Sequence, residues 1–422
     1  MNAFEKIIGY EDIKEELYRV CDILKNPKKY RKFGVVPPRG ILLYGEPGSG
    51  KTMMANAIIS ESGRMAFTLR KDGMNGNFGS QIRKVFDDAK EVAPSIVFLD
   101  DMDKYANEDE FHLDADEYVV IQSCIDECKL EDVFVIGTVN CRYQLPDSLI
   151  RAGRFDNSIE VKAPTGRDAV KIVEYYLNQK KNVDKNVDAE EIARLIGGCS
   201  CAEFETVINE AGIYAAYQQK NKIEQEDIIK ACMRKIYDSP ECISYRENSS
   251  LVNVALHEAG HTVIAELLNP GSVNLVSICR HTGTTKGAIS LKKPDDFNLS
   301  KKQMENRVIE LLGGKAATEI IHGVVDTGCV EDLDKAYIQV ARFVKRLCTY
   351  GFDTFESYNP SKQNLEKTDY LVAYEMERYY QEAKRLLVEN RDFLESVTNG
   401  LLKNEWLTYK DIAKIRKDCV ML

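Results

Sequence analysis

His257 and His261 stand four residues apart in the stretch HEAGH, with Glu258 beside the first. On a helix this spacing puts both imidazoles on one face, where they can share a tetrahedral metal ion. A carboxylate next to them can take the proton from metal-bound water as that water attacks a peptide carbonyl. The pattern points to a zinc peptidase, which needs a third protein ligand and one open coordination position. On residue type alone His281, His322 and several acids are candidates. The blander reading is a polar helix face, but only 5 His occur in 422 residues and chance explains the pair poorly.

A second constellation lies in the first half. GEPGSGKT (Gly45 to Thr52) follows the apolar run ILLY and leads into MMANAIIS, the strand, loop and helix context of a phosphate-binding loop. Gly45, Pro47, Gly48, Ser49 and Gly50 would wrap the phosphates, with Lys51, Thr52 and Met53 opening the helix. Lys51 is expected on the β and γ phosphates and Thr52 on Mg2+. SIVFLDD ends in Asp100 and Asp101, where an ATP site wants one acid for Mg2+ and another to polarise the attacking water. VFVIGTVN ends on Asn140, a polar tip suited to the γ-phosphate or that water. Arg151 and Arg154 follow, three apart in LIRAGRFD. Taken singly these are a glycine-rich turn, a strand-end turn residue and a surface arginine pair; together they describe ATP hydrolysis.

The elements that must position these residues are legible in outline. ILLYG (Ile41 to Gly45), MAFTL (Met65 to Leu69), SIVFLD (Ser95 to Asp100) and VFVIGTVN (Val133 to Asn140) read as buried strands alternating with helices, hence an α/β fold with a parallel, doubly wound sheet. Past Ala163 a helical lid is expected, Asp188 opening one helix and Gly197-Gly198 closing it. Residues 1–164 are read as the nucleotide-binding subdomain, 165–237 as the lid, 238–250 as a polar linker and 251–422 as a mainly α-helical peptidase domain. In that last part VNLVSICR (Val273 to Arg280) and KGAISL (Lys286 to Leu291) read as a small strand pair.

Net charge is −10, which argues against nucleic acid as a partner, since that needs a concentrated positive field. The N-terminus carries no signal-peptide pattern, and no run reaches the roughly 18 to 20 apolar residues that span a bilayer. The 12 cysteines are scattered without a CxxC, so free thiols in a reducing cytoplasm are expected. CVML from Cys419 fits a prenylation box only loosely.

The phosphate loop, acid-tipped strand, Asn140 and LIRAGRFD together resemble the AAA+ ATPases. HEAGH, then LLGGKAATEIIHG (Leu311 to Gly323), then TGCVEDLDKA (Thr327 to Ala336), in that order after such a module, are similar to the FtsH-type metalloproteases. The resemblance runs from Phe4 to about Ile415 and implies an ATP-dependent zinc endopeptidase that unfolds, translocates and degrades polypeptides, with Zn2+, ATP and Mg2+ as cofactors. It implies a homo-oligomeric ring, usually a hexamer, in which Arg151 and Arg154 act on the neighbour's nucleotide. It makes Asp332 the third zinc ligand, with Glu331 and Asp334 as its nearest rivals, and makes KGAISL an edge strand that pairs with extended substrate. It also places a substrate-gripping pore loop at Met74, Asn75 and Gly76.

Two departures fall on the motor. Asp101 stands where the family has Glu, its carboxylate withdrawn by about 1.5 Å, and Met74 stands where the family has an aromatic. They keep two further readings in view: a zinc peptidase with a slow or nucleotide-sensing ATPase that cuts only loosely folded substrates, and a non-degrading ring adaptor. The family carries transmembrane helices ahead of its ATPase, while this chain shows none. The cytoplasm is therefore expected, or the cytoplasmic face of a membrane if an anchor lies outside this chain.

Overall fold

The structure is a computed structural model that describes residues 2–34, 36–71, 78–106, 115–151, 153–237, 249–279, 288–291, 299–323, 327–356 and 360–419. The chain divides into two compact units, Met1–Ala231 and Cys232–Leu422. The expected pore loop (Met74, Asn75, Gly76) and most of the expected linker, 238–248, lie outside the described residues.

The first unit is built on β1 (Gly40–Tyr44), β2 (Met65–Leu69), β3 (Ser95–Leu99), β4 (Val133–Val139) and β5 (Asn157–Glu160), all parallel, in the order β2-β3-β4-β1-β5. The inner strands β3 and β4 are buried at every position. Helices cover both faces of such a sheet, so its strands read as unbroken apolar runs. β5 was not anticipated: its four residues NSIE hold one buried apolar side chain, Ile159, and carry no run to detect. Around the sheet lie α1 (Glu11–Lys25), α2 (Pro27–Arg31), α3 (Lys51–Ser62), α4 (Phe78–Glu91), α5 (Ala115–Glu127) and α6 (Asp147–Ile150). α4 shows why they settle there: Phe78, Ile82, Phe86 and Ala89 fall on one face and are all buried.

The strands give way to α7 (Gly166–Asn178), α8 (Ala189–Leu195), α9 (Cys201–Tyr217) and α10 (Gln225–Lys235). Asp188 caps α8, accepting from the backbone N–H groups of Glu190 and Glu191, and a Ser200–Glu203 capping box starts α9. Beside this cap α9 meets the Gly45–Gly50 loop, where the Ala202 N–H donates to the Gly48 carbonyl at 3.3 Å.

The second unit is mainly helical: α11 (Ser249–Leu268), α12 (Lys301–Leu311), α13 (Gly313–His322), α14 (Val330–Lys345), α15 (Lys362–Glu389), α16 (Arg391–Asn404) and α17 (Tyr409–Asp418). A small antiparallel sheet runs in the order β7-β6-β8, from β6 (Val273–Ser277), β7 (Ala288–Leu291) and β8 (Trp406–Thr408). β8 was also unforeseen, since three residues are too short for any period. α11 stops just before Asn269-Pro270-Gly271, where proline cannot continue a helix, and it lies among α12, α13, α15 and α16. Among the described residues no helix is long and apolar enough to cross a membrane.

Candidate functional site

Because α11 is surrounded by other helices, its His257, Glu258 and His261 are buried. α13 approaches so closely that both helices need glycine where they meet. A Cβ on Gly260 would stand 2.7 Å from the Ala317 Cβ, and one on Gly313 would stand 2.8 Å from the Gly260 carbonyl oxygen. Asp332, in the first turn of α14, completes the cluster. Its Oδ2 lies 3.2 Å from Nε2 of His257 and 3.3 Å from Nε2 of His261, and the two Nε2 atoms are 3.1 Å apart. Ligands about 2.0–2.1 Å from a tetrahedral Zn2+ are separated by about 3.3–3.4 Å along each edge of the tetrahedron. The triangle has nearly these edges, so the three side chains fit the metal.

The surroundings suit the same use. The backbone carbonyl of Glu310 lies 2.7 Å from Nδ1 of His261. A carbonyl only accepts, so one ring proton sits on Nδ1 and Nε2 is the atom turned to the cluster, where a metal would displace the proton that it shares with Asp332. Burial opposes charge on Asp332, but hydrogen bonds to His257 and His261 outweigh it and hold the carboxyl well below its usual range. Burial likewise opposes charge on His261, yet the Asp332 hydrogen bond and the Glu258 charge raise its pKa to about 9. The rivals of Asp332 lie elsewhere: Glu331 and Asp334 are exposed on α14 and His322 is exposed at the end of α13. His281 lies outside the described residues. β7, the last part of KGAISL, is an edge strand of the small sheet.

In the first unit the loop from Gly45 to Gly50 joins β1 to α3. Lys51 is buried and its Nζ donates to the carbonyls of Gly45 (2.8 Å) and Glu46 (3.0 Å) and to Oδ1 of Asn140 (2.9 Å). Burial lowers its pKa, against the raising charges of Asp103, Asp101 and Asp100. Thr52 donates to Oδ1 of Asp100 at 3.1 Å, and Thr138 donates to the same oxygen at 2.7 Å. The two residues expected on Mg2+ are therefore side by side. Asp101 follows with a left-handed backbone, φ 53°. Its N–H donates to Thr138 Oγ1 at 2.9 Å, and its carboxylate meets Lys104 at 2.8 Å and Arg70 at 3.4 Å.

The arginine pair divides. Arg151 is exposed, while Arg154 is buried and donates to Asp126 at 2.7 Å and to the Ser148 carbonyl at 2.5 Å. Beside the loop, next to Ser49, Gly50 and Met53, opens a cavity of about 290 Å3 whose other walls include Ile7, Ile8, Tyr10, Ile172 and Tyr176. Mainly apolar walls beside a phosphate loop suit a flat nucleobase. Sequence reasoning missed this wall, because Ile7-Ile8-Gly9-Tyr10 carries no motif of its own. It also missed Asp103, Glu310 and Gly314, which touch or support the expected residues from positions with no local signature.

Comparison with known proteins gives two family matches: ATPase family associated with various cellular activities (AAA) at residues 41–163, and Peptidase family M41 at residues 244–415. Over 97% of its length the chain is 32% identical to the ATP-dependent zinc metalloprotease FtsH of Bacillus subtilis, covering 69% of that protein. It is 30% identical to the ATP-dependent zinc metalloprotease FtsH of Caldicellulosiruptor bescii over 98% of this chain and 72% of that one. Against ATP-dependent zinc metalloprotease FtsH 2 of a Thermoanaerobacter species it is 29% identical, over 97% and 82%.

Proposed function

From the premise that this chain belongs to the FtsH family of ATP-dependent zinc metalloproteases, we propose how its residues divide the work. The protein is an ATP-dependent zinc protease that degrades proteins as an AAA+ oligomer, and it uses Zn2+, ATP and Mg2+. The adaptor and the slow-ATPase readings are not favoured. His257, His261 and Asp332 hold the zinc; the observation that carries this is their triangle of 3.1, 3.2 and 3.3 Å. Bound zinc supplies Lewis-acid polarisation of a carbonyl and a water of lowered pKa. Glu258 takes the water's proton and delivers it to the leaving amine. Glu310 and Gly314 keep the imidazoles in place, and the backbone of β7 offers an edge for extended substrate.

In the motor, Gly45, Pro47, Gly48, Ser49, Gly50, Lys51 and Met53 enclose the nucleotide, and Thr52 and Asp100 hold Mg2+. Asp101 activates the attacking water, and Asn140 lines the same spot. Arg151 serves the neighbour's nucleotide in a ring that is a hexamer, and Arg154 joins it once released from Asp126. Met74, Asn75 and Gly76 form the substrate-gripping loop. We assign 1–164 to the nucleotide-binding subdomain, 165–237 to the lid, 238–250 to a linker and 251–422 to the peptidase. The protein works in or facing the cytoplasm, which suits the free thiols of the described cysteines. Casein degradation with and without ATP tests the reading. Loss of cleavage in Glu258→Gln at unchanged zinc content supports it, and cleavage at the parental rate ends it.

A further inference from the structure

Asn140 follows directly on β4, between two charged groups of opposite hydrogen-bonding character. Its Nδ2 donates to Oδ2 of Asp103 at 2.7 Å, and its backbone N–H donates to Oδ1 of the same carboxylate at 3.2 Å. Its Oδ1 accepts from Lys51 Nζ at 2.9 Å. A lysine ammonium only donates and a carboxylate only accepts, so the amide can sit in this pocket one way round. Asp103 is itself half-buried on the short turn after Asp101 and grips both the main chain and the side chain of Asn140.

We propose that Asp103 is a positioning residue for ATP hydrolysis: by holding the Asn140 amide nitrogen, it commits Asn140 to present an acceptor oxygen to the phosphate site. The proposal rests on the reading of this site as the ATP site. When Lys51 turns to the phosphates, Oδ1 of Asn140 is left facing them. An acceptor there is repelled by γ-phosphate oxygens, which are acceptors too, but it can take one hydrogen of the attacking water. In the reaction the water oxygen bonds to the γ-phosphorus and the bond to ADP breaks with its electron pair staying on ADP. One water proton passes to Asp101 while the other is held by Asn140. A fixed acceptor matters here because Asp101 is short for its task and is engaged by Lys104 and Arg70.

The test is a charge swap in the full-length oligomer, reading steady-state ATPase activity and the affinity for a fluorescent ADP analogue. Asn140→Asp sets two carboxylates against each other and lowers kcat at least about tenfold, as does Asp103→Ala, with KM and ADP affinity moved less than about threefold. Adding Asp103→Asn to Asn140→Asp restores the hydrogen bond with donor and acceptor exchanged. It leaves a carboxylate oxygen, still an acceptor, toward Lys51, and kcat returns to within about threefold of the parent. A merely structural contact would not give this rescue together with a kcat effect at constant affinity. A double variant as slow as Asn140→Asp, with ADP still bound, would mean that Asn140 must donate to phosphate and would overturn the proposal. So would an Asp103→Ala enzyme as fast as the parent. If the parent itself binds no ADP, the reading of the site falls and the proposal with it.

Discussion

Gly314 on α13 faces His257 on α11 with no room for a side chain: a Cβ there would stand 2.5 Å from Nδ1 of His257 and 2.5 Å from Nε2 of His261. The face proposed to bind zinc is thus shaped by a residue that supplies no ligand atom. Gly314→Ala should gain about 1 kcal/mol of helix propensity and lose more than that to the clash, which costs about 1–3 kcal/mol in a filled core. Zinc affinity should fall about 10- to 100-fold, as when other supports of a metal site are removed. Titration against a zinc chelator measures it. Unchanged affinity would mean that the helices separate freely at this point.

Asp101→Glu should raise the ATPase rate, because the longer side chain brings the carboxylate about 1.5 Å nearer the phosphates. Asp101→Asn should lower kcat at least about tenfold. Equal rates in all three proteins would remove Asp101 from water activation.

Arg151 and Arg154 should differ in a way their spacing does not suggest. Arg151→Ala is expected to lower kcat about 10³-fold in the assembled oligomer, with no change in urea stability. Arg154→Ala should in addition cost about 1–3 kcal/mol, because it removes the buried guanidinium from Asp126 and from the Ser148 carbonyl. Equal stability of the two variants would contradict the buried position of Arg154.

Glu319 on α13 offers a pH signature. Lys384, Tyr380 and Lys315 hydrogen-bond its carboxylate, with the two ammonium groups at 2.6 and 2.9 Å, and lower its pKa from 4.5 to about 2. A depressed carboxylate stabilises the fold above its unfolded pKa, and that contribution fades as pH falls toward the folded value. Glu319→Gln should therefore destabilise the protein at pH 7 and progressively less below about pH 4.5. Urea unfolding across this range would show the gap closing; a constant gap would assign the effect to packing.

What could be read from the sequence was local. HEAGH and GEPGSGKT place their side chains through one helix or one loop, so spacing alone gives their geometry. Asp332 is 75 residues from His257, and residue type could not rank it above His281 or His322; only family resemblance did. Glu310 acts through its backbone carbonyl, which every residue carries, and Gly314 acts by lacking a side chain. Neither leaves a pattern. Arg154 and Arg151 look alike in LIRAGRFD because the side chain that Arg154 meets, Asp126, is on another helix. β5 and β8 escaped because short edge strands bury too little to show a period.

In the proposed site one zinc is held by His257, His261 and Asp332. Metal analysis of the purified oligomer, parent beside Asp332→Ala, Glu331→Ala and Asp334→Ala, tests it most directly. About one zinc per chain is expected in the parent and in the Glu331 and Asp334 variants, and a loss of zinc and of casein cleavage in Asp332→Ala alone. Full zinc in Asp332→Ala, or its loss in Glu331→Ala or Asp334→Ala instead, would mean that Asp332 is not the third ligand.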